Sequence, residues 1–232
     1  DVAVAGKYAY IADYDKGLVV VDISDPSAPA LAGSYDTDGN PLDVAVAGNH
    51  AYVADYGNGL MIFNISDPSA PALVGSYSTG DAFSVAVVDN YAYVADDWNG
   101  LTIVDITDPS VPVLAGSYST GYAFAVAVAG NYAYLAEGES GLAVVNITNP
   151  SAPTPAGSYD TGGYAIGVAV AGNYVYLAEG DNGLKIVNIT DPSAPALAGS
   201  YAGQVFSFAV AGNYVYTPSG WDGILILDIT NP

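Results

Sequence analysis

The segment GLVVVDI at residues 17–23 decides the fold, because it recurs along the chain at a nearly constant interval. Its five further copies are GLMIFNI at 59–65, GLTIVDI at 100–106, GLAVVNI at 141–147, GLKIVNI at 183–189 and GILILDI at 223–229. Successive copies begin 42, 41, 41, 42 and 40 residues apart. A period of this length that fills a chain is typical of repeat architectures, in which each repeat is one supersecondary unit.

Each repeat divides into four short strand-like pieces. In the second repeat a small apolar strand, VAVA at 44–47, is followed by a Gly-Asn turn and a second strand, HAYVAD at 50–55. The GLMIFNI strand comes next, and the proline-rich corner SDPSAP at 66–71 leads into a fourth strand, ALVGSY at 72–77. Two-residue turns of this kind join antiparallel strands, and the two prolines exclude a helix in the corner.

Four antiparallel strands in each repeat predict the blades of a β-propeller. Only small side chains fit where blades converge, so the first strand, with its Val and Ala residues, is expected to be innermost. A β-solenoid also repeats short strands, but its turns are usually shorter and its repeats less like hairpins. Helical repeats are excluded because the apolar residues follow a period of two.

The chain is therefore predicted to be a single all-β domain, a six-bladed propeller with four-stranded antiparallel blades. The six repeats are placed at about 1–42, 43–83, 84–124, 125–166, 167–207 and 208–232.

The third strands also carry a family resemblance. The sequences LVVVD, LTIVD, LMIFN, LAVVN and LKIVN, each followed by I-[ST]-[DN]-P, resemble the LVIVD-repeat proteins. The resemblance covers essentially the whole chain. It implies a β-propeller of the kind found in bacterial and archaeal surface or secreted proteins, mostly without an assigned activity, and it brings no catalytic residue with it. We therefore expect an extracellular or cell-surface location.

The charge of the chain limits its partners. The net charge of −21 comes from 24 acidic residues against three lysines and no arginine. Such a surface repels phosphates, so nucleic acid and anionic lipid are not expected partners. No apolar run approaches the ~18 residues that are needed to cross a bilayer, and no membrane insertion is expected.

The residues needed for most catalytic sites are missing. The chain has no cysteine and one histidine, His50, which takes a position filled by Tyr in the other five repeats. Catalytic triads, thiolate nucleophiles and most transition-metal sites cannot be assembled from this set. A glycosidase needs only two carboxylates, but the acidic residues here lie in repeated loop positions. We predict that the chain is not an enzyme and needs no cofactor.

One short segment is a candidate calcium loop. Asp36 and Asp38 lie in the sequence DTDGN at 36–40, which resembles the start of a loop with oxygen ligands. The segment lacks the later glutamate ligand, and the other repeats do not keep it. A simple turn is therefore the favoured interpretation.

The loops that follow the second and fourth strands are predicted to share one face, which should be acidic and aromatic. Aromatic rings beside carboxylates are a common way of holding sugars. The candidate ligand residues on this face are Tyr14, Tyr56, Trp98, Trp221, Asp96, Asp97, Glu137 and Glu179. Packing of the rings against neighbouring blades is the alternative, and the favoured one.

The sixth repeat stops after its third strand, so 23 strands are expected and the last blade lacks its outer strand within this chain. The uncovered edge would consist of Ile224, Leu225, Ile226 and Leu227. Apolar strand edges template pairing with another chain.

The leading hypothesis is therefore a non-catalytic structural or interaction protein. It would assemble with copies of itself, as an oligomer or a filament, or bind another surface protein. A propeller that binds or cleaves glycans is the alternative.

Overall fold

The computed structural model describes residues 1–219 and 223–231, and in this part of the chain every regular element is a β-strand. The 23 strands form six antiparallel sheets, five with four strands and the last with three. The predicted fold class is confirmed: the chain is an all-β, six-bladed β-propeller. The described residues contain no helix of the length and apolarity that a membrane span requires.

The chain divides into two compact units, and the first comprises Asp1–Ser119. It contains three sheets, each built from four strands that are consecutive in sequence. The strands are β1 (Val2–Ala5), β2 (Tyr8–Asp13), β3 (Gly17–Asp22), β4 (Ala30–Tyr35), β5 (Asp43–Ala47), β6 (His50–Asp55), β7 (Gly59–Asn64), β8 (Ala72–Tyr77), β9 (Ser84–Val88), β10 (Tyr91–Ala95), β11 (Leu101–Asp105) and β12 (Val113–Tyr118).

The second unit comprises Thr120–Pro232. It holds two four-stranded sheets and the three-stranded one. The strands are β13 (Ala125–Ala129), β14 (Tyr132–Ala136), β15 (Leu142–Asn146), β16 (Thr154–Tyr159), β17 (Gly167–Ala171), β18 (Tyr174–Ala178), β19 (Leu184–Asn188), β20 (Ala196–Tyr201), β21 (Ala209–Ala211), β22 (Tyr214–Pro218) and β23 (Ile224–Asp228).

The first two strands of each sheet are joined by a tight turn with positive φ. Gly48 has a φ of 57°, and glycine takes the same place in four other repeats. In the third repeat Asp89 adopts the same conformation, with a φ of 53°. Such backbone angles suit glycine and are tolerated by Asp at a modest cost.

Within each unit, the first strands of successive sheets lie side by side. In the first unit β1 contacts β5 and β5 contacts β9; in the second, β13 contacts β17 and β17 contacts β21. The Val and Ala side chains of these strands are small enough to allow the approach. This is the arrangement expected where blades converge.

Successive sheets of a unit pack face to face through apolar side chains. Between the first two sheets the buried cluster includes Leu18, Val20, Val53 and Phe63. Phe63 is fully buried, and its ring centroid lies 5.0 Å from that of Tyr35. Burying one such side chain contributes about 1.5–3 kcal/mol to stability.

A β-bulge interrupts the outer strand of each four-stranded sheet. In the first sheet Val20 pairs with Gly33 and Val21 pairs with Leu31, so Ala32 is the extra residue. The same shift occurs between β7 and β8, β11 and β12, β15 and β16, and β19 and β20. The pairing of β22 with β23 has no shift. Bulges bend an outer strand and hinder its pairing with another chain.

The proline-rich corners are closed by short side chains. In the first corner Asp25 Oδ1 accepts hydrogen bonds from the Ser27 hydroxyl at 2.7 Å and the Ser27 amide at 3.0 Å. These bonds lower the pKa of Asp25 below its usual value. The corners are thus held by local contacts that the sequence itself supplies.

Candidate functional site

A carboxylate follows or ends the second strand in five of the six repeats. These residues are Asp13, Asp55, Asp96, Glu137 and Glu179, and the sixth repeat has Ser219. Four of the five are buried, namely all except Asp13. Three of the four belong to the predicted ligand face, which was expected to be acidic and aromatic. The structure instead places Asp96, Glu137 and Glu179 in the interior.

A loop from the preceding repeat covers the buried carboxylates. In the third repeat this loop contains Thr79 and Gly80, directly after β8. A Cβ atom at Gly80 would lie 2.5 Å from Asn99 Nδ2 and 2.9 Å from Asp96 Oδ1, so the loop backbone passes close to the carboxylate. Gly39 has the same relation to Asp55. Glycine at this loop position therefore allows the carboxylates to be covered.

The two oxygens of Asp96 differ in their partners. Oδ2 accepts a hydrogen bond from the Thr102 hydroxyl at 2.9 Å and one from Asn99 Nδ2 at 3.3 Å. Oδ1 is buried, and the carboxylate also interacts with the Thr79 hydroxyl and the Gly80 amide of the covering loop. A buried polar atom left unpaired would cost about 1–3 kcal/mol. The covering loop therefore contributes to compensating the burial of this carboxylate.

Burial changes the acidity of these groups. It raises the pKa of Asp96, although hydrogen bonds from Thr102, Asn99, the Gly80 amide and Thr79 oppose the shift. Burial also raises the pKa of Glu137, and the nearby Thr120 hydroxyl opposes it. A raised pKa of this kind reflects the cost of removing a charge from water.

Asp96 opens onto a cleft of about 410 Å³ in the first unit. Hydroxyl and amide side chains make up much of its wall, together with Leu114 and Tyr77. The polar residues of the wall include Thr79, Asn99, Thr102, Ser117 and Ser119. The cleft is therefore suited to a small polar molecule.

In the second unit, Glu179 has a partner that Asp96 lacks. Lys185 Nζ lies 3.7 Å from Glu179 Oε2, and the Glu179 side chain is completely buried. Lys185 comes from β19, two residues after Gly183. Thr102 occupies the equivalent position in the third repeat, as the alignment of GLTIVDI with GLKIVNI shows. Equivalent positions thus carry an ammonium group in the fifth repeat and a hydroxyl group in the third.

The predicted aromatic residues that the structure describes lie at the surface. Trp98 is 65% exposed and Tyr14 58% exposed. Tyr56 packs edge-on against Phe83, with centroids 5.5 Å apart. Trp221 lies outside the described residues. The aromatic rings are therefore in contact with solvent, whereas the carboxylates of Asp96, Glu137 and Glu179 are buried.

The structure brings several of the predicted residues together around Tyr56. A hydrogen bond to Asp81 raises the pKa of Tyr56, and the charges of Asp81 and Asp97 and the Tyr14 side chain act in the same direction. Burial raises the pKa of Asp97, and the charge of Asp81 adds to this. Acidic and aromatic groups therefore share this surface.

The candidate calcium loop forms a turn. The Asp38 amide donates to Asp36 Oδ1 at 3.0 Å, and Asp38 has a φ of 54°. The next residues cover the neighbouring carboxylate, since the Asn40 amide donates to Asp55 Oδ1 at 2.7 Å. Within residues 1–219 and 223–231, no group of three or more His, Cys, Asp or Glu side chains is placed to hold a metal ion.

The sequence did not identify one acidic residue that connects two strands, Asp43. Asp43 begins β5 and joins it to β9, because its Oδ2 accepts a hydrogen bond from the Val85 amide at 2.8 Å. Burial raises its pKa, although hydrogen bonds from Ser84, Val85 and Val44 oppose the shift. Its signal in the sequence is the first position of the segment DVAVAG at 43–48 and of its counterparts in the other repeats, which reads Asp1, Asp43, Ser84, Ala125, Gly167 and Ser207.

The predicted assembly residues lie on β23, at the edge of the three-stranded sheet. Ile224 is 71% exposed and Ile226 56% exposed. Leu225 and Leu227 are partly buried, and Leu227 packs against the neighbouring core. The alternation follows from the pleat of a strand, which sends successive side chains to opposite faces.

The LVIVD repeat family matches the chain six times, at residues 1–37, 38–79, 79–120, 120–161, 162–203 and 202–232. The chain matches no curated protein.

Solved structures of low sequence identity have the same fold. A functionally unknown protein from Desulfotomaculum acetoxidans is 13% identical with a TM-score of 0.84, and the match covers 100% of this chain and 82% of that one. The periplasmic gluconolactonase PpgL of Pseudomonas aeruginosa is 14% identical with a TM-score of 0.79, covering 97% and 78%. BamB from Moraxella catarrhalis is 11% identical with a TM-score of 0.69, covering 100% and 70%.

Proposed function

Because this chain belongs to the LVIVD-repeat family, whose resemblance carries no catalytic residue, we propose that it is a non-catalytic interaction protein that pairs with a second copy through β23. The single observation that supports the proposal is the edge itself. β23 is the outer strand of its sheet and carries no bulge, whereas the five other sheets end on bulged strands. A flat strand edge with exposed aliphatic side chains is a template for another strand.

The absence of a bulge also selects the partner strand. A filament needs two different complementary surfaces, whereas an isologous dimer uses the same surface twice. Bulges hinder the outer strands β4, β8, β12, β16 and β20 from pairing, so β23 of the second copy is the best-matched partner. Two copies would then form one continuous six-stranded antiparallel sheet. Ile224 and Ile226 of each copy would be partly covered by the other.

The negative charge of both copies opposes this pairing, and the salt concentration therefore controls how much dimer forms. Each chain carries a net charge of −21, so two copies repel each other over a distance set by the salt concentration. The screening length is about 10 Å at 0.1 M salt and about 3 Å at 1 M. Dimer formation should therefore increase with salt, as expected for an acidic protein of a cell surface or an extracellular medium.

Light scattering coupled to size exclusion tests the proposal across a salt series. The native chain should change from monomer to dimer as salt rises. Ile226→Lys should remain monomeric, because an ammonium at the edge opposes strand pairing. Leu31→Lys is the matched control: Leu31 is 70% exposed on the bulged strand β4, and this variant should dimerise normally. A native chain that is monomeric at every salt concentration would overturn the proposal.

Glycan binding is the second candidate, and the exposed rings of Trp98 and Tyr14 favour it. Aromatic faces at a surface can stack on the apolar faces of sugars. A glycan array would show binding that Trp98→Ala abolishes if this candidate is correct. PpgL is a gluconolactonase, but at this low identity its likeness to the chain concerns the fold alone.

A further inference from the structure

The loop between the second and third strands contains an Asn-Gly step in three repeats. The steps are Asn58-Gly59, Asn99-Gly100 and Asn182-Gly183, whereas the first and fourth repeats have Lys16 and Ser140 in place of the asparagine. Glycine has no Cβ atom that would shield its backbone nitrogen. This nitrogen can therefore attack the side-chain carbonyl carbon of the asparagine before it, which makes Asn-Gly a chemically reactive sequence.

The backbone around the three steps is nearly the same. Gly59, Gly100 and Gly183 have φ angles of 78°, 77° and 88°. The amide of each glycine donates a hydrogen bond to the carbonyl oxygen three residues earlier, at 3.1, 3.1 and 3.2 Å respectively. The three asparagines are all exposed to solvent. Neither the glycine nor its exposure to solvent therefore distinguishes one step from another.

The asparagine side chains of the second and third repeats are held by buried carboxylates. Asn58 Nδ2 donates to Asp55 Oδ1 at 3.3 Å and to the Thr37 carbonyl oxygen at 3.4 Å. Asn99 Nδ2 donates to Asp96 Oδ2 at 3.3 Å. The attack requires the side chain to rotate until its carbonyl carbon reaches the glycine nitrogen. These hydrogen bonds must break before that rotation, so they oppose the reaction.

The asparagine of the fifth repeat is not held in this way. The carboxylate at the equivalent position is Glu179, whose Oε2 lies 3.7 Å from Lys185 Nζ. Neither oxygen of Glu179 has a hydrogen-bond partner among the described residues, so the Asn182 amide group is not bound to it. The backbone amide of Asn182 still donates to the Glu179 carbonyl oxygen at 3.0 Å. The turn is therefore formed, but the side chain is free to rotate.

We propose that Asn182 is a site of spontaneous deamidation, and that the bonds to Asp55 and Asp96 protect Asn58 and Asn99 from the same reaction. The backbone nitrogen of the following glycine loses its proton to solvent and bonds to the asparagine Cγ. The bond between Cγ and Nδ2 breaks, and ammonia leaves. Water then opens the resulting succinimide ring at either carbonyl carbon, which gives an aspartate or an isoaspartate. Water is the only co-reactant.

The product alters the fifth repeat at a tightly packed place. A Cβ atom at Gly183 would overlap the carbonyl oxygen of Tyr201, so the backbone there has no room to move towards β20. An isoaspartate at position 182 adds one carbon atom to the main chain directly before this glycine. Both products also add a negative charge to a chain that already carries −21. The modified protein should therefore melt at a lower temperature than the native protein.

Peptide mapping by mass spectrometry tests the inference on the folded protein, incubated at mildly alkaline pH. The peptide that contains Asn182 should deamidate at least about fivefold faster than those that contain Asn58 and Asn99, because one hydrogen bond of ordinary strength changes a rate by about this factor. Equal rates at the three asparagines, or a faster reaction at Asn58 or Asn99, would overturn the inference.

The same measurement in urea separates the effect of the fold from that of the sequence. In the unfolded chain the side-chain hydrogen bonds are lost, so the three asparagines should react at similar rates. If Asn182 keeps its full advantage there, the neighbouring residues set the order of reaction and the inference is wrong.

Two matched variants complete the test. Asn182→Ser introduces the residue that the fourth repeat has at this position, Ser140, and should remove the fast reaction. Asn99→Ser should leave the rate at Asn182 unchanged. The site does not depend on strand pairing, so Ile226→Lys should deamidate at Asn182 as fast as the native chain. A fast reaction that persists in Asn182→Ser would contradict the assignment.

Discussion

Replacing Asp96 with Asn should stabilise the ligand-free protein at neutral pH. The substitution removes a buried charge, and the amide nitrogen can donate to Thr79 Oγ1 once that hydroxyl rotates away from the position in which it bonds to the native carboxylate. The hydrogen bond with Thr79 is thus kept in the opposite direction, and removing the desolvated charge recovers about 3 kcal/mol. The bonds from Thr102 and Asn99 then go to a neutral acceptor, which costs about 1 kcal/mol each.

The net gain is about 1 kcal/mol, and it should depend on pH. Burial raises the pKa of Asp96, so the folded state binds the proton more tightly than the unfolded state. Such a group stabilises the fold below its unfolded pKa, near 3.9, and this contribution disappears as the pH rises through the folded pKa. The native protein should therefore match the variant below about pH 4 and fall behind it as the pH rises.

Thermal denaturation at neutral and acidic pH measures the difference. At pH 7 the melting temperature of Asp96→Asn should exceed that of the native chain by about 2–4 °C. Asp25→Asn is the opposite case, because hydrogen bonds from Ser27 lower the pKa of Asp25. The native Asp25 adds stability above its unfolded pKa and loses it as the pH falls through the folded pKa, so this variant should melt below the native chain at pH 7. A lower melting temperature for Asp96→Asn at pH 7 would refute the reasoning.

Four other substitutions test the packing and the turns. Phe63→Ala should cost about 3–5 kcal/mol in urea denaturation because the side chain is fully buried, whereas Phe206→Ala, at an exposed site, should cost less than about 1 kcal/mol. Gly75→Ala should destabilise the protein by about 1–3 kcal/mol, because a Cβ there overlaps the carbonyl oxygen of Pro109. Asp89→Gly should raise stability by about 1 kcal/mol, since its φ of 53° suits glycine; an unchanged or lower stability would contradict the turn assignment.

The fold could be predicted from the sequence because its determinants are local and repeated six times. The Gly-Asn turns, the two prolines of each corner and the period-two strands specify each blade without reference to the rest of the chain. A substitution such as Asp89 for the usual glycine does not disturb the turn, because Asp tolerates positive φ. Because the pattern occurs six times, a single departure such as Asp89 does not change the predicted fold.

The candidate site could be predicted only in part, because burial depends on contacts between repeats. The sequence identifies Asp96 as a member of a recurring loop position but does not show that Thr79 and Gly80 of the preceding repeat cover it. An acid in a loop is therefore taken for an exposed acid. The comparison of Thr102 with Lys185 was available in the alignment of repeats, but its meaning requires the distance between Lys185 and Glu179.

The β-bulges are a second feature that the sequence does not show directly. A bulge leaves the alternation of side chains nearly intact on both sides of one extra residue such as Ala32. The five fourth strands therefore look in sequence like regular strands, although all five are bulged. The contrast between the bulged outer strands and the regular β23 appears only in the pairing register.

Hydrogen–deuterium exchange along β23 tests the central claim, strand pairing between two copies, most directly. The amides of residues 224–228 that do not bond to β22 should exchange rapidly in dilute, low-salt solution, where the protein is monomeric. They should become protected as protein and salt concentrations rise, and Ile226→Lys should prevent this protection. Amides that are already protected in the monomer, or that remain unprotected when dimers form, would contradict pairing through β23.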